Sequence, residues 1–355
     1  MATSILLILI MALSLSFTPA YGQQIDQRLG QQVNENIRIL KEQGRLPVYA
    51  GCDASLSLPV RAAGATLKDY GFYGIKNFVD HDPNYPGKLL DYYCGKRTYD
   101  LPSGMNHQGT DFAIYPFSWR KMDNNEVEVV AAAAGTIVYK EDGNFDRNCD
   151  MDNHRANSIG IHHCNGNITW YLHLKKDSLT HKGVGDIVTT GEYLGIVGSS
   201  GNSGGPHLHF EIRSATGKTI DPFYGKCNTD NTSLWKSQPS YYNPSVLKLM
   251  TGSAAPVFPT CPTPEITNEK DTFHPGETIY FTTFYRDQLI NQTSRYTILK
   301  PDGSTFQSWT QDKSTYYDLS WWYWYFTLPA NAPAGTWTFQ VSFFNKTYQH
   351  TFTVL

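Results

Sequence analysis

The sequence predicts an all-β fold in which an antiparallel β-sheet domain is followed by an immunoglobulin-like β-sandwich. Short apolar and polar alternations, separated by Gly, Asn and Asp turns, run from about residue 51 to 250 without long helical periodicity. A second series of such segments follows a Pro, Thr, Ser and Ala-rich stretch at residues 251–264. The composition, 14% aromatic and 17% charged, favours aromatic-packed sheets over disorder. A length of 355 residues is enough for two domains.

Residues 1–22 have the pattern of a secretory signal peptide. Ile5 to Leu13 form an uncharged apolar run, and Ala20 and Gly22 are the small residues before a cut after Gly22. No Lys or Arg precedes the run, so a retained signal anchor is the alternative, although the run is too short to span a membrane. We therefore expect a secreted protein, extracellular or periplasmic, with no membrane attachment after cleavage. Its formal net charge of −3 gives no reason to expect nucleic-acid binding.

Residues 23–50 form a predicted amphipathic helical segment. Apolar residues recur at helical spacing between residues 24 and 43, at Ile25, Leu29, Val33, Ile37 and Leu40. The prediction is a short helix packed on the domain that follows. The alternative is a pro-segment that covers the functional site of that domain, but no residue here identifies one.

Six cysteines in a chain bound for export favour disulfides. No C-x-x-C spacing occurs, so a Cys-zinc site is not expected. Fifteen pairings are open to six cysteines. Our hypothesis is pairing in sequence order: Cys52 with Cys94, Cys149 with Cys164, and Cys227 with Cys261.

Two loops stand out in the domain predicted for residues 51–250. Residues 198–205 form a Gly and Ser-rich loop, which we expect to be flexible and which lacks the Gly-Lys-Ser/Thr ending of a phosphate loop. Residues 142–152 carry oxygen side chains at alternate positions, like the start of a calcium loop. Arg147 and Asn153 stand where an EF-hand needs Gly and Glu, so we expect a solvated insertion.

Beyond the linker at 251–264, residues 265–355 are predicted to form the sandwich. Alternation and a turn at Lys300-Pro301-Asp302-Gly303 are typical of an immunoglobulin-like domain with six or seven short strands. The predicted strands are Thr278 to Tyr285, Arg295 to Lys300, Thr305 to Thr310, Trp321 to Thr327, Thr336 to Phe344 and Tyr348 to Leu355. The run 321–326 would point three aromatics to each face of its strand. One face can be core, and the other is either buried beneath a neighbouring loop or free to bind sugar rings or a partner.

Metal-ligating residues are concentrated in two short segments, His107-Gln108-Gly109-Thr110-Asp111 and His207-Leu208-His209. On an extended strand His207 and His209 share a face. His107 and Asp111 are too far apart on a straight strand to share an ion, and we expect Gly109 to allow a tight bend that joins them. Two imidazoles and one carboxylate would leave the fourth position of Zn²⁺ free for water, as in a catalytic site. No H-E-x-x-H helix occurs.

His173 lies in a third candidate segment, the alternating run Trp170-Tyr171-Leu172-His173-Leu174, which reads as a strand. The ordered set H-x-G-x-D, Y-x-H and G-P-H-L-H-F-E resembles the M23 family of zinc metallopeptidases, of the lysostaphin or LytM type. The resemblance covers roughly residues 80 to 226. It implies an M23/LytM-type antiparallel catalytic domain with Zn²⁺ on His107, Asp111 and His209. It also implies that His173 and His207 hold the attacking water and stabilise the tetrahedral intermediate.

The expected function is therefore that of a secreted zinc endopeptidase whose substrate is peptidoglycan or another peptide. Zinc-activated water would attack the scissile carbonyl, with one of His173 and His207 as base. Two alternatives stay open: an enzyme that cuts Gly-rich proteins, and a metal-free LytM-like regulator of a cell-wall amidase. A complete set of five site residues disfavours the regulator.

Glu211 continues the face of His207 and His209, so it either fixes a histidine tautomer from behind or is a surface carboxylate. The remaining histidines lack comparable neighbours in sequence, and we expect surface or hydrogen-bonded core positions for them. They are His81, His154, His162, His163, His181, His274 and His350.

Overall fold

A computed structural model describes residues 27–46, 53–63, 69–102, 104–150, 154–229 and 232–355. The predicted signal peptide and Cys52 lie outside these residues. The helices are α1 (Gln27–Glu42) and α2 (Ser118–Asp123). The first ten strands are β1 (Val60–Ala62), β2 (Tyr73–Asn77), β3 (Gly109–Ile114), β4 (Val127–Val130), β5 (Gly135–Glu141), β6 (Asn157–His162), β7 (Ile168–Leu174), β8 (Ile187–Val188), β9 (Tyr193–Ile196) and β10 (His207–Arg213). The last eight are β11 (Ser245–Gly252), β12 (Thr272–Phe273), β13 (Thr278–Gln288), β14 (Thr293–Leu299), β15 (Thr305–Asp312), β16 (Tyr317–Thr327), β17 (Gly335–Phe343) and β18 (Lys346–Val354).

The chain divides into two compact units. The first comprises Phe17–Asn243 and Val257–Ile266, and the second includes Pro244–Pro256 and Thr267–Leu355. Both units are built from sheets, so the all-β prediction is confirmed. None of the described helices is long and apolar enough to cross a membrane.

The first unit contains an antiparallel seven-stranded sheet in the order β2-β3-β10-β7-β6-β5-β8 and a three-stranded sheet β1-β4-β9. Alternate side chains of β10 follow the period of a strand. Leu208, Phe210 and Ile212 enter the main apolar core, whereas His207 and His209 lie on the opposite face. One face of β10 therefore packs in the apolar core, and the opposite face carries the buried polar residues His207 and His209.

Helix α1 packs on the seven-stranded sheet, as expected from its apolar spacing. Val33 and Leu40 are buried against Val138, Trp170 and other side chains of β5 and β7. The Asn36 side-chain amide also donates a hydrogen bond to the backbone of β5 at 2.9 Å. The helix is thus an integral layer of the first unit.

The second unit is a β-sandwich. Its sheets are β11-β13-β16 and β12-β18-β17-β14-β15, and only the short β12–β18 pair is parallel. Both sheets contribute to one core, with Phe281 and Tyr285 from one and Trp337, Phe339 and Phe352 from the other. The immunoglobulin-like sandwich is therefore confirmed, with β11 and β12 added to the six predicted strands.

The aromatic run of β16 divides between two faces, as its alternation predicts. Trp322, Trp324 and Phe326 pack against the core. On the other face Tyr323 and Tyr325 lie near Tyr280 of β13, with ring centroids 5.9 and 5.3 Å away, respectively. Binding by this face remains a prediction.

The predicted limits of the domains differ from the two units. The predicted boundary at 250/251 cuts through β11, which pairs with β13 over its whole length. Residues 257–266, inside and just beyond the predicted linker, group with the first unit. A Pro and Thr-rich composition does not reveal such returns of the chain. The assignment of residues 51–250 to a peptidase domain stays a prediction.

The disulfides correct the hypothesis of sequential pairing. Cys94 is bonded to Cys227 and Cys149 to Cys261, at sequence separations of 133 and 112 residues. Pairing in sequence order is wrong for these four cysteines because the fold brings distant segments together. Residues near in sequence here belong to different loops.

In the acidic stretch 142–152, whose described part ends at Asp150, the expectation of a solvated insertion agrees with the exposed residues Asp142, Gly143, Phe145 and Asp150, but it is wrong for Asn148. Asn148 is only 4% exposed. Residues Arg147 and Asp150 form isolated β-bridges with Ser199 and Ser203 of the Gly and Ser-rich loop. That loop is correspondingly buried, so the expectation of a flexible loop is also wrong.

Candidate metal centre

His107, Asp111 and His209 meet on the polar face of β3 and β10. Asp111 and His209 are directly opposite each other in the antiparallel pair, and His107 lies just before β3. His107 Nε2 is 3.1 Å from Asp111 Oδ1 and 3.1 Å from His209 Nδ1. His209 Nδ1 is 3.0 Å from Asp111 Oδ1. Among the described residues this is the only group of three or more His, Cys, Asp or Glu side chains placed to hold a metal ion.

The spacing of these atoms fits a tetrahedral ion. Zinc ligand bonds of about 2.0–2.1 Å separate tetrahedral ligand atoms by roughly 3.3–3.4 Å. The three observed separations are only slightly shorter. Two imidazole nitrogens and one carboxylate oxygen are also a donor set that zinc accepts. The residues therefore fit the ion that the sequence motifs imply.

Gly109 has a different role from the one expected. It is the first residue of β3 and pairs with Glu211, so the chain does not bend there. A Cβ at Gly109 would lie 2.6 Å from His209 Nε2 and 2.7 Å from the Phe210 carbonyl oxygen. Glycine is needed because the His209 ring lies directly over this backbone. The bend predicted for H-x-G-x-D is therefore wrong, and Gly109 instead lets the His209 ring lie close to the backbone of β3.

The second polar atom of each of the three residues is faced by another group of the protein. His107 Nδ1 donates to the Phe78 carbonyl oxygen at 2.7 Å, and Asn77 Nδ2 donates to Asp111 Oδ2 at 2.8 Å. His209 Nε2 lies 3.5 Å from Glu211 Oε2, at the outer limit of a hydrogen bond. These contacts leave His107 Nε2, Asp111 Oδ1 and His209 Nδ1 directed at one another.

Glu211 is buried, so the surface alternative is wrong. Its other oxygen accepts a hydrogen bond from Arg213 Nε, and Arg213 also donates to the Gln108 side chain. Asn77 was missed by the sequence reasoning because it lies in a separate strand, thirty residues before the first motif. Only the pairing of β2 with β3, which places Asn77 opposite Asp111, reveals it.

His173 reaches the same centre through an unusual backbone conformation. In β7 Leu172 is opposite His209, so regular alternation would place His173 on the other face, with the core residue Tyr171. The φ angle of His173 is +68°, a left-handed conformation that redirects the ring. The ring centroid of His173 lies 4.7 Å from that of His207 and 5.9 Å from that of His209. Such strain is typical of functional positions.

The two remaining histidines of the motifs are held by backbone carbonyls. His173 Nδ1 donates to Ser200 O at 2.7 Å, and His207 Nδ1 donates to Gly205 O at 2.8 Å. In the described part of the chain neither Nε2 atom has a hydrogen-bond partner. His207 Nε2 is 3.7 Å from Asp111 Oδ1. Each imidazole therefore presents an unprotonated Nε2 beside the candidate metal centre.

Burial controls the charge of this pair. It lowers the pKa of His173 well below the usual value, helped by the charges of His207 and His209. Burial also lowers the pKa of His207, although Asp111 opposes the effect. Both rings are therefore neutral at neutral pH and can accept a proton.

The charges of the other residues favour a cation. Burial opposes ionisation of Asp111, but His107 and hydrogen bonds from the neighbouring histidines outweigh it, so the pKa of Asp111 lies well below its usual value. Burial lowers the pKa of His209, yet Asp111 and Glu211 more than compensate and raise it to about 9. The His209 ring thus holds a proton tightly in a negative field. A metal cation would take the place of that proton.

Histidines outside the motifs have other partners. His163 Nδ1 and Nε2 lie 2.8 Å from Ala134 O and Thr169 Oγ1, respectively. His81 Nε2 is 2.8 Å from Asp221 Oδ2. Neither joins the metal group, in agreement with the sequence expectation for core and surface histidines.

Part of the chain that contains this site is similar to known peptidases. Residues 105–222 match the model of peptidase family M23. Lysostaphin of Staphylococcus staphylolyticus is 28% identical over 216 residues, covering 53% of this chain and 40% of lysostaphin. The DD-carboxypeptidase/endopeptidase Mpg of Neisseria meningitidis serogroup B is 37% identical over 95 residues, covering 26% of this chain and 19% of Mpg. The solved catalytic domain of lysostaphin from Staphylococcus simulans is 25% identical, with coverages of 42% and 89% and a TM-score of 0.27.

The chain spans less than half the length of the curated relatives named above. The matched range 105–222 contains the five motif residues, from His107 to His209. Asn77 and the whole β-sandwich lie outside it. The chain therefore carries an M23 peptidase domain of the lysostaphin and LytM type.

Proposed function

We propose that the protein is a secreted zinc metalloendopeptidase that hydrolyses peptide bonds in the stem peptides or cross-bridges of peptidoglycan. The observation that carries this proposal is the convergence of His107, Asp111 and His209 beside the unpaired Nε2 atoms of His173 and His207. A ligand group and a pair of proton acceptors are the two parts that metal-assisted hydrolysis requires.

Zinc would be held by His107 Nε2, Asp111 Oδ1 and His209 Nδ1. When bound there, zinc polarises a carbonyl and lowers the pKa of water towards ~7. The chain itself orients His107, since Phe78 O accepts a hydrogen bond from the ring nitrogen that points away from the centre, and the Glu211 carboxylate lies 3.5 Å from the corresponding nitrogen of His209. Asn77 similarly engages the Asp111 oxygen that is not directed at the histidines.

His173 and His207 supply the proton transfer. A neutral ring with an open Nε2 accepts the proton of the attacking water and returns it to the nitrogen of the leaving amine. The second ring, protonated or hydrogen-bonded, stabilises the negative charge that develops on the carbonyl oxygen. The Nδ1 bonds to Ser200 O and Gly205 O keep both rings aimed at this point. The kinetics of the His173→Ala and His207→Ala variants distinguish which ring is the base.

The proposed substrate and compartment are supported by a relative, by the disulfides and by the sequence of residues 1–22. One named relative, Mpg, is a DD-carboxypeptidase/endopeptidase, which supports a peptide substrate. The disulfides Cys94–Cys227 and Cys149–Cys261 support an oxidising compartment. The leader-like residues 1–22 agree with export.

The test is the zinc content of the full chain together with release of new peptide ends from purified peptidoglycan. We expect about one zinc per chain and cleavage that Asp111→Ala abolishes. Asp142→Ala, at an exposed carboxylate outside the centre, is the matched control and should cleave normally. Bound zinc with cleavage of Gly-rich protein only would contradict the peptidoglycan substrate. Absence of both zinc and cleavage would overturn the enzyme and favour a regulator.

A further inference from the structure

The segment Asp146–Asp150, here called the buttress segment, is hydrogen-bonded to the loop at residues 198–205, here called the histidine-holding loop. Asn148 N donates to Ser199 O at 3.0 Å, and Ser199 N donates to Asp146 O at 3.2 Å. Ser203 N donates to Asp150 O at 3.2 Å. The two segments therefore pair through their backbones at both ends of the buttress segment.

Asn148 adds side-chain contacts to this pairing. Its Nδ2 donates to Gly201 O at 2.8 Å, and its backbone oxygen accepts the Ser199 hydroxyl at 2.8 Å. Ser199, Ser200 and Ser203 are completely buried. A loop whose composition predicts flexibility is thus buried and hydrogen-bonded to the buttress segment.

The histidine-holding loop supplies the acceptors of both site histidines. Ser200 O accepts from His173, and Gly205 O accepts from His207. The Ser203 hydroxyl lies 2.8 Å from that of Ser199 and 3.4 Å from His207 Nδ1. A continuous set of contacts therefore runs from the buttress segment to the two rings.

The buttress segment is anchored at its outer side. Cys149 is bonded to Cys261, and Arg147 Nη2 donates to Pro262 O at 2.9 Å. Glu265, a little further along, accepts the backbone N–H of Trp119 at 3.2 Å and that of its neighbour in α2 at 3.0 Å. These contacts all lie within the first unit. The disulfide therefore links the buttress segment to a part of the chain that is itself fixed.

We propose that the buttress segment, clamped by Cys149–Cys261, positions His173 and His207 by fixing the carbonyls of the histidine-holding loop. Asn148 is a positioning residue in this scheme, because it touches neither the metal ligands nor the reacting atoms. The inference rests on the proposed peptidase function for its kinetic consequence. Its structural consequence, the order of the loop, is independent of that function.

The test compares two disulfide variants of the full chain. Cys149→Ser/Cys261→Ser removes the clamp, and Cys94→Ser/Cys227→Ser is the matched control. The control bond also lies in the first unit and closes a loop of similar length, so the loss of chain-entropy stabilisation is nearly equal. The readouts are amide hydrogen exchange at residues 199–207, zinc content, kcat and KM.

Removal of the clamp should accelerate exchange at 199–207 by about tenfold or more and lower kcat by about tenfold. Zinc content should be unchanged and KM should stay within about twofold, because the ligand group is held by other residues. The control variant should show none of these changes at 199–207. Equal effects in both variants, or no effect of either, would overturn the proposal.

Asn148→Ala provides a second test with the disulfide intact, and Asn124→Ala, at an exposed asparagine, is its control. Nitrogen NMR of the histidine rings reports the tautomer directly. We expect the Nδ1–H form of His173 and His207 to be partly lost in Asn148→Ala and retained in Asn124→Ala. An unchanged tautomer would contradict positioning by Asn148. If the unaltered protein cuts no peptide, the proposed function fails, while the exchange and NMR results still decide this inference.

Discussion

The three candidate metal ligands and the two remaining site histidines are held by different parts of the first unit. The ligands are supported from strands and strand ends, through Asn77, Phe78 O and Glu211. The two histidines depend on carbonyls of the histidine-holding loop. Strand pairing resists local opening more than a loop does. The difference indicates that metal affinity and turnover can be changed separately.

The largest effect is expected from removing a ring of the histidine pair. His173→Ala or His207→Ala should lower kcat by about 10²–10⁴-fold, the usual contribution of a general acid or base. Zinc should remain bound, because neither ring is in the ligand group. Steady-state kinetics beside metal analysis checks this, with His81→Ala as the control. Loss of zinc from the His207 variant would break the separation. The variant in which kcat no longer falls at low pH, where the base would be protonated, identifies the base.

The converse separation is expected at Asn77. Asn77→Ala removes the donor to Asp111 Oδ2, so zinc affinity should fall by about 10–100-fold. Competition with a chromogenic chelator measures the affinity, and Asn84→Ala at an exposed asparagine is the control. Activity at saturating zinc should be largely restored. A kcat that stays low at saturating zinc would place Asn77 with the histidine pair instead.

A substitution at Gly109 tests whether the close approach of the His209 ring to β3 supports metal binding. Gly109→Ala places a methyl group 2.6 Å from His209 Nε2, so the ring or the strand must shift. We expect a loss of about 1–3 kcal/mol in the free energy of unfolding together with weaker zinc binding. Gly183→Ala is the control because nothing lies within 4 Å of its Cβ position. Denaturant titration decides, and equal stability of the two variants would refute the close-approach explanation.

His162 belongs to neither group and gives the smallest expected effect. Burial first, and then the charges of His163 and Lys41, lower its pKa to about 4. The unfolded chain binds the proton below its ordinary pKa of about 6.5, whereas the folded chain does not. The contribution of His162 to the free energy of unfolding is therefore fully present above about pH 6.5 and is lost as the pH falls towards 4. The ring is partly exposed, so we expect His162→Gln to recover only about 1 kcal/mol at pH 4.5. Urea titrations at several pH values measure this, and the same pH dependence of the free energy of unfolding in the unaltered protein and in His162→Gln would contradict it.

Much of the candidate centre could be predicted because its residues lie in short motifs. H-x-G-x-D and H-x-H each keep their site residues within five positions of the chain, and these motifs carry the family resemblance that implied the ligand set. Their grouping is observed for His107, Asp111 and His209. The sandwich was likewise predictable from the alternation of its longer strands.

The remainder depends on contacts between distant segments. Asn77 matters only through the pairing of β2 with β3, and the buttress segment only through its pairing with the histidine-holding loop. The disulfides join residues more than a hundred positions apart. The left-handed conformation of His173 breaks the alternation that a strand pattern assumes. None of these features has a local sequence signal.

The return of residues 257–266 to the first unit has a consequence for the integrity of the chain. Ser253 is exposed, just after β11. A protease nick there would separate the sequence into two pieces, with Cys149 in one and Cys261 in the other. Because these cysteines are bonded, the pieces would stay covalently joined. The nicked protein would migrate as a single species without reductant and as two fragments with it.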